Sequence, residues 1–164
     1  MTDRPLVIGV GNRHRRDDAL GLEAAARLGP RLADRARVVP FEGESTGLLE
    51  LWDRVPLVVL VDAVPAQGHP GRIHRVEGDL VERLTGPTTT STHGLSLGEA
   101  VRLGATLDQL PLRLVVFAVE AEDFSPGVGL TPAVARAVDP VSDAVLAEVG
   151  DPSRPMPGEV PTHA

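Results

Sequence analysis

The sequence of 164 residues contains no cysteine, no tyrosine and no lysine, so all 16 residues counted as Lys or Arg are arginines. Without cysteine the chain can form no disulfide, no thiolate zinc site and no iron–sulfur cluster. Without lysine it can form no Schiff base and no serine–lysine pair. Catalysis by this chain alone must therefore use its 23 carboxylates, its 5 histidines and a few hydroxyl groups.

Aromatic residues, positive net charge and long apolar runs are scarce as well. Three Phe and one Trp supply no stacking platform for bases, and a formal net charge of -7 provides no basic face for phosphates. These absences argue against a nucleic-acid partner. The apolar run at residues 6–10 is too short for a signal-peptide core or a bilayer span. We therefore expect a cytoplasmic protein without membrane insertion.

The balance of apolar and charged residues fits one globular domain. Apolar residues make up 42% of the chain and charged residues 24%, and a chain of this length can bury a single core. We expect one domain over residues 1–149 and a flexible tail over residues 150–164, where four prolines occur and apolar periodicity is absent. No apolar stripe is left over for a partner, which favours a monomer.

Short apolar segments alternate with segments of helical periodicity. The run at residues 57–61 is apolar at every position and is followed by Asp62, which is typical of a strand buried on both faces. Further strands are predicted at residues 6–10, 38–41, 72–77 and 112–119, and helices at residues 19–28, 46–52, 96–107 and 131–149. This alternation predicts an α/β fold, a three-layer sandwich with a mostly parallel twisted sheet and helices on both faces.

Three details of the helices follow from local signals. Gly29 and Pro30 are expected to end the first helix. Ser96 is expected to cap the helix that follows it, with Glu99 at the capping-box position. Pro140 is expected to bend the last helix.

Polar residues gather where predicted strands end, which is where open α/β sheets bind ligands. One cluster spans residues 9–21, after the first strand, and Asp62 closes the most apolar strand. Glu120, Glu122 and Asp123 follow the last strand. We expect an exposed acidic loop here, and the alternative is that Glu120 and Glu122 line the same face as the site. A hydroxyl-rich loop, residues 88–92, precedes His93. Its Ser91 is no convincing nucleophile, because it lacks a G-x-S-x-G elbow.

A dinucleotide-binding site is one interpretation of the first cluster. Gly9 and Gly11 form a G-x-G after a strand, and Glu42 stands where an acid could bind a ribose. His14 occupies the third glycine position, however, where its side chain would obstruct packing of the helix on the strand. Asp17 and Asp18 at the helix start would repel a pyrophosphate. The pattern is therefore weak support for this interpretation.

A metal-contacting site is the alternative. One of Asp17 and Asp18 is expected to cap the helix start, which leaves the other for a cation. Asp62 has no evident helix to cap, and a lone histidine such as His93 is ambiguous alone. Asp18, Asp62 and His93 together offer two hard oxygens and one imidazole, a set that suits zinc or nickel with positions open for substrate.

Five segments of the chain resemble motifs of the hydrogenase maturation endopeptidases. GVGN followed four residues later by DDALG is similar to the opening signature of that family, VVLVDAV to its central strand, and STHGLSLGEAV to its histidine segment. FEGESTGLLELW resembles its glycine-rich loop, and VVFAVEAEDFSPGVGLTPAVARAV resembles its last strand, acidic loop and final helix. The resemblance runs from residue 6 to residue 149. Two positions bear on the match. The family has Glu or Asp at the position of Asp18, and Asp is one methylene shorter than Glu. Ala121 stands where the family pattern leads us to expect Pro.

The resemblance implies an endopeptidase that removes the C-terminal extension from the large-subunit precursor of a nickel–iron hydrogenase. It implies that Asp18, Asp62 and His93 contact the metal and act in catalysis, with either carboxylate able to serve as general base. The nickel would be supplied by the precursor, and the free protease would hold no tightly bound metal. A non-catalytic docking module that binds the metal-loaded precursor without cutting it is the alternative from another functional class.

Smaller expectations concern the loops around this site. Asn12, the only asparagine, is expected to make a specific hydrogen bond, either within the loop, where it would hold the Gly11 turn, or to substrate. The three arginines that follow it are expected to be solvated rather than to bind acidic parts of the precursor; they are Arg13, Arg15 and Arg16. Gly43 and Gly47 are expected to let the backbone approach the substrate groove.

Overall fold

The computed structural model describes residues 3–78 and 97–150, and in this part of the chain five strands form one sheet. The strands are β1 (Leu6–Val10), β2 (Arg37–Phe41), β3 (Val58–Pro65), β4 (Ile73–Glu77) and β5 (Leu114–Ala121). Their order across the sheet is β2-β1-β3-β5-β4. Only the pair of β4 and β5 is antiparallel among these strands. The prediction of a mostly parallel α/β fold is confirmed.

Helices cover both faces of the sheet. They are α1 (Leu20–Leu32), α2 (Leu48–Trp52), α3 (Leu97–Leu107), α4 (Pro132–Ala135) and α5 (Val138–Gly150), with 3-10 turns at Arg16–Ala19 and Ser45–Gly47. One core joins α1 and α5 to the sheet, and a second core joins α2 and α3 to the opposite face. Within the described ranges, none of these helices combines the length and the apolar content that a bilayer span requires.

Side chains alternate between the two cores along each strand, as the pleat of a sheet requires. Val59 and Val61 of β3 belong to the core under α1 and α5, whereas Val58 and Leu60 belong to the core under α2 and α3. Asp62 continues this alternation and lies on the α2 and α3 face. We call this side of the sheet the α3 face.

The chain changes direction across the sheet on either side of β1. The connection through α1 leads to β2 on one side of β1, and the connection through α2 leads back to β3 on the other. The carboxyl ends of β1 and β3 therefore flank the switch point of the sheet, where open α/β proteins form their clefts.

Two predictions about helix ends are wrong. α1 continues through Gly29 and Pro30 to Leu32, because Leu32 is buried in the core and Pro30 lies in the last turn, where it interrupts little of the helix. The last helix is broken before Val138 rather than bent at Pro140. Pro140 falls in the first turn of α5, where its missing N–H costs no helical hydrogen bond. The predicted cap Ser96 lies outside the described residues.

Two strands continue beyond their predicted ends. β3 extends to Pro65, so Asp62 lies within the strand rather than after it. β5 extends to Ala121, and it places Glu120 in the sheet, where the residue is 3% exposed. The expectation that Glu120 belongs to an exposed acidic loop is therefore wrong.

Candidate active site

Close packing of glycines places the start of α1 on the ends of two strands. A Cβ atom on Gly21 would lie 2.1 Å from the carbonyl oxygen of Val10 and 2.6 Å from that of Val61. A Cβ on Gly11 would lie 2.0 Å from the carbonyl oxygen of Asp18. Since side chains cannot approach carbonyls this closely, glycine at both positions lets the 3-10 turn Arg16–Ala19 reach the switch point of the sheet.

Asn12 shapes the loop that leads to this turn. Its Oδ1 accepts the backbone N–H of His14 at 2.9 Å, and its own N–H donates to the carbonyl oxygen of Asp18 at 3.1 Å. The first contact is an Asx turn, the local hydrogen bond that asparagine forms readily. The expected role of Asn12 in the loop is confirmed.

Asp18 and Asp62 are neighbours at the switch point. Both side chains are partly buried, and the Asp62 Oδ1 accepts the N–H of Ala63 at 2.8 Å. Burial raises the pKa of the Asp62 carboxyl well above its ordinary value of 3.8, and the Asp18 charge raises it further. Burial also raises the pKa of Asp18, which the charge of Arg15 partly opposes. Two carboxyl groups with raised pKa values at one strand edge can bind a cation or transfer a proton.

Asp17, the other acid of the pair, has a different role from its neighbour. It is fully buried and accepts the backbone N–H groups of Glu122, Asp123 and Thr131 at 3.0, 2.9 and 2.7 Å. The Thr131 hydroxyl donates to it as well, at 3.0 Å. Asp17 thus anchors the loop between β5 and α4, and it does not cap the helix start as expected for one acid of this pair.

The three loop arginines contact this chain's own residues. Arg13 forms a forked pair with Glu42, at 3.0 and 2.8 Å, and this pairing lowers the pKa of Glu42. Arg15 donates to the carbonyl oxygen of Phe124 at 3.2 Å, and the Arg16 Nε lies 3.7 Å from Asp123. The Arg13 and Arg16 side chains stay 64% and 42% exposed in these contacts, so the expectation that these arginines are solvated, rather than bound to the precursor, stays a prediction.

These contacts also weaken the dinucleotide interpretation. Glu42, the acid that could bind a ribose in this interpretation, is already engaged by Arg13. Asp17 and Asp18 both lie in the turn that would have to receive the pyrophosphate, where their charges would oppose it.

His93 and Ser91 lie outside the described residues. Within residues 3–78 and 97–150, no three histidine or carboxylate side chains are grouped to hold a metal ion. Gly43 and Gly47 contact a ring: a Cβ on either would lie 3.0 Å from the Cζ atom of Phe41.

The sequence interpretation missed a carboxylate–histidine pair on β5 and β4, in which Glu120 is buried and His74 is partly exposed. The Glu120 Oε2 lies 2.9 Å from the Nε2 of His74, and its Oε1 accepts the N–H of Gln67 at 2.6 Å. The sequence contains only a weak indication that Glu120 is buried. Extending the predicted strand at residues 112–119 by two residues would have included Glu120 in the sheet, on the same face as Ala118.

The fold and the two acids define an α/β protein with a carboxylate site at the switch point of a mostly parallel sheet. The family model described as hydrogenase maturation protease matches residues 44–148. The chain therefore belongs to the hydrogenase maturation proteases, and it is a hydrolase of the endopeptidase type.

Individual relatives agree with this assignment. The hydrogenase expression/formation protein HupD of Bradyrhizobium diazoefficiens is 32% identical over 157 residues, which cover 90% of this chain and 80% of the relative. The hydrogenase 2 maturation protease of Escherichia coli K12 is 29% identical over 147 residues, which cover 88% of this chain and 89% of the relative. The solved structure of the hydrogenase maturating endopeptidase HybD from E. coli superposes with a TM-score of 0.77 at 26% identity, covering 89% of this chain and 91% of that chain.

Proposed function

We propose that this endopeptidase removes the C-terminal extension of a nickel-loaded large-subunit precursor of a nickel–iron hydrogenase. The observation that carries the proposal is the pair formed by Asp18 and Asp62 at the switch point, in a chain of this family. The pair lies where a substrate can approach the carboxyl ends of β1 and β3.

In this proposal the nickel ion belongs to the substrate. Asp18 and Asp62 contact it with carboxylate oxygens, and His93 contributes an imidazole nitrogen. His93 precedes α3 by four positions in the sequence, and α3 packs on the sheet face that carries Asp62. The absence of cysteine suits this role, because thiolates on the protease would compete with the precursor for the ion.

The carboxyl groups also supply a base for hydrolysis of the peptide bond. Either Asp18 or Asp62 can serve as this base, and the other carboxylate then keeps its contact with the ion. The base takes a proton from the attacking water and returns it to the leaving amine.

Cleavage of purified precursor tests the proposal. Nickel-loaded and nickel-free precursor would be incubated with the wild-type chain and with Asp62→Asn and His93→Gln, and the new C-terminus would be read by mass spectrometry. Asp53→Asn is the matched control, because Asp53 is exposed and outside the site. We expect wild type and the control to cut only the nickel-loaded form, and both site variants to lose at least about 100-fold in rate.

Two outcomes would overturn the proposal. Full activity in either site variant would remove the assigned residue from the mechanism. Binding of the nickel-loaded precursor by the wild-type chain without any cleavage would instead identify a docking module.

A further inference from the structure

His74 lies in the same row of the sheet as Asp62, two strands away. The register pairs Asp62 of β3 with Ala118 of β5, and Ala118 with His74 of β4. Residues paired in this way project from the same side of a sheet. His74 therefore lies on the α3 face, at the edge where the candidate active site is found.

The Glu120 carboxylate fixes the orientation of the His74 ring. Glu120 is 3% exposed, and its carboxylate receives the backbone N–H groups of Gln67 and His69 besides the His74 Nε2 contact. The hydrogen bond from His74 and those from the two amides lower the pKa of Glu120. Because a carboxylate only accepts hydrogen bonds, the ring proton of neutral His74 lies on Nε2, and Nδ1 is left as an acceptor.

The other ring nitrogen of His74 is open to a ligand. The side chain is 36% exposed, and Nδ1 has no hydrogen-bond partner in the described part of the chain. A buried carboxylate behind a partly exposed imidazole is the arrangement that proteins use to orient a histidine toward a ligand.

The distance between Asp62 and His74 indicates what the ligand is. Two strand spacings, about 10 Å, separate the two residues across the sheet, and within residues 3–78 and 97–150 no three histidine or carboxylate side chains are grouped to hold a metal ion. The same distance corresponds to about three residues of extended polypeptide. A peptide that is cut beside Asp62 can therefore reach His74 with its backbone.

We infer that His74 is a substrate-binding residue, whose Nδ1 accepts a backbone N–H of the precursor about three residues from the bond that is cut. Glu120 is the positioning residue that holds the ring for this contact. The inference rests on the proposed function, because the Asp62 site marks where the bond lies.

The first test separates binding from catalysis. In His74→Gln the side-chain amide can still donate to Glu120, whereas its oxygen projects from the side of the former ring away from Nδ1, so no acceptor remains at the Nδ1 position. We expect KM for the nickel-loaded precursor to rise about 2- to 10-fold, the effect of one hydrogen bond, with kcat and Tm unchanged. His69→Gln is the matched control, because the His69 residue is exposed and only its backbone contacts Glu120. An unchanged KM in His74→Gln would overturn the inference.

The second test addresses Glu120. Glu120→Gln should raise KM by a similar factor, and the double variant with His74→Gln should raise it no further than either single change, since both remove the same contact. If the two increases in KM multiply in the double variant, Glu120 has a structural role only, and the coupling between Glu120 and His74 is overturned.

Direct binding distinguishes this inference from the proposed function. Calorimetric titration of the precursor would be run beside the cleavage assay. If wild type cleaves and the affinity of His74→Gln is unchanged, only the inference fails. If wild type binds without cleaving, the proposed function fails, and the Kd of His74→Gln still decides the contact. If the wild-type chain neither binds nor cleaves the precursor, the proposed function and the inference both fail.

Discussion

Two groups of carboxylates lie at opposite edges of the sheet, and they are built in opposite ways. At the carboxyl edge, Asp18 and Asp62 are neighbours with no arginine paired to either in the described residues. At the other edge, Arg75 lies 2.9 Å from both Glu77 and Glu148. Arg113 contacts both of these glutamates as well.

The two groups have opposite pKa shifts. Burial raises the pKa of Asp62, whereas the hydrogen bond from Arg113, together with the one from Arg75, lowers the pKa of Glu77 to about 2. The pKa of a carboxyl group in this chain is therefore raised where burial dominates and lowered where guanidinium groups donate hydrogen bonds to it.

Linkage turns this difference into a difference in stability. A carboxyl whose pKa falls on folding, as in Glu77, stabilises the fold above its ordinary pKa and loses that contribution as the pH falls through the folded value. A carboxyl whose pKa rises, as in Asp62, lowers the free energy of unfolding as the pH rises above 3.8. The arginine cluster supports the fold, whereas the aspartate pair opposes it, which is typical of a functional site.

A second comparison is between adjacent residues. Asp17 receives four hydrogen bonds from the loop that follows β5, whereas the structure gives the Asp18 side chain no hydrogen bond from a described residue. The Asp17 carboxylate is therefore fully engaged in holding the loop, whereas the Asp18 carboxylate remains able to bind a ligand or transfer a proton. The same substitution at the two positions should therefore have opposite consequences.

Asp18→Asn carries the largest expected effect. Loss of the charge should reduce cleavage of nickel-loaded precursor by at least about 100-fold. The free energy of unfolding should stay the same or rise slightly, because the repulsion between Asp18 and Asp62 is relieved. Precursor cleavage and urea unfolding measure the two effects. Retained activity would show that the pair at the switch point is not the site of chemistry.

Asp17→Asn should reverse this pattern. The amide that replaces one oxygen cannot accept N–H groups, so part of the anchor of the loop between β5 and α4 is lost. We expect the free energy of unfolding to fall by about 2–3 kcal/mol in urea titrations. Asp18→Asn is the matched control. A variant as stable as wild type would mean that the loop is held by other contacts, and the contrast between the adjacent acids would disappear.

The features that were predictable from sequence depend on local patterns. The run of apolar residues before Asp62 and the G-x-G after β1 indicated two buried parallel strands, and the carboxyl ends of such strands meet at one edge. The proximity of Asp18 to Asp62 followed from this geometry. Their roles in metal contact and catalysis, and that of His93, remain predictions.

The features that were not predictable depend on partners far away in the sequence. Asp17 and Asp18 are indistinguishable locally, and the choice between them is made by Glu122, Asp123 and Thr131, more than 100 positions later. Glu120 is buried because β4 returns antiparallel and brings His74 to it. In both cases tertiary hydrogen bonds override the expectation that an acid near a strand end is exposed.

Glu77→Gln should have the smallest effect, and its dependence on pH tests the comparison of the two edges. Glu77 is 38% exposed on its side chain, so solvent screens its ion pairs and the loss should be about 1 kcal/mol or less. Because the folded pKa is about 2 and the ordinary value is 4.5, the difference from wild type should be full above pH 4.5 and should vanish toward pH 2. Urea unfolding at a series of pH values measures it, with Glu50→Gln as the control at an exposed position. A difference that grows as the pH falls would contradict the assignment of Glu77 to a stabilising cluster, and with it the contrast between the two edges of the sheet.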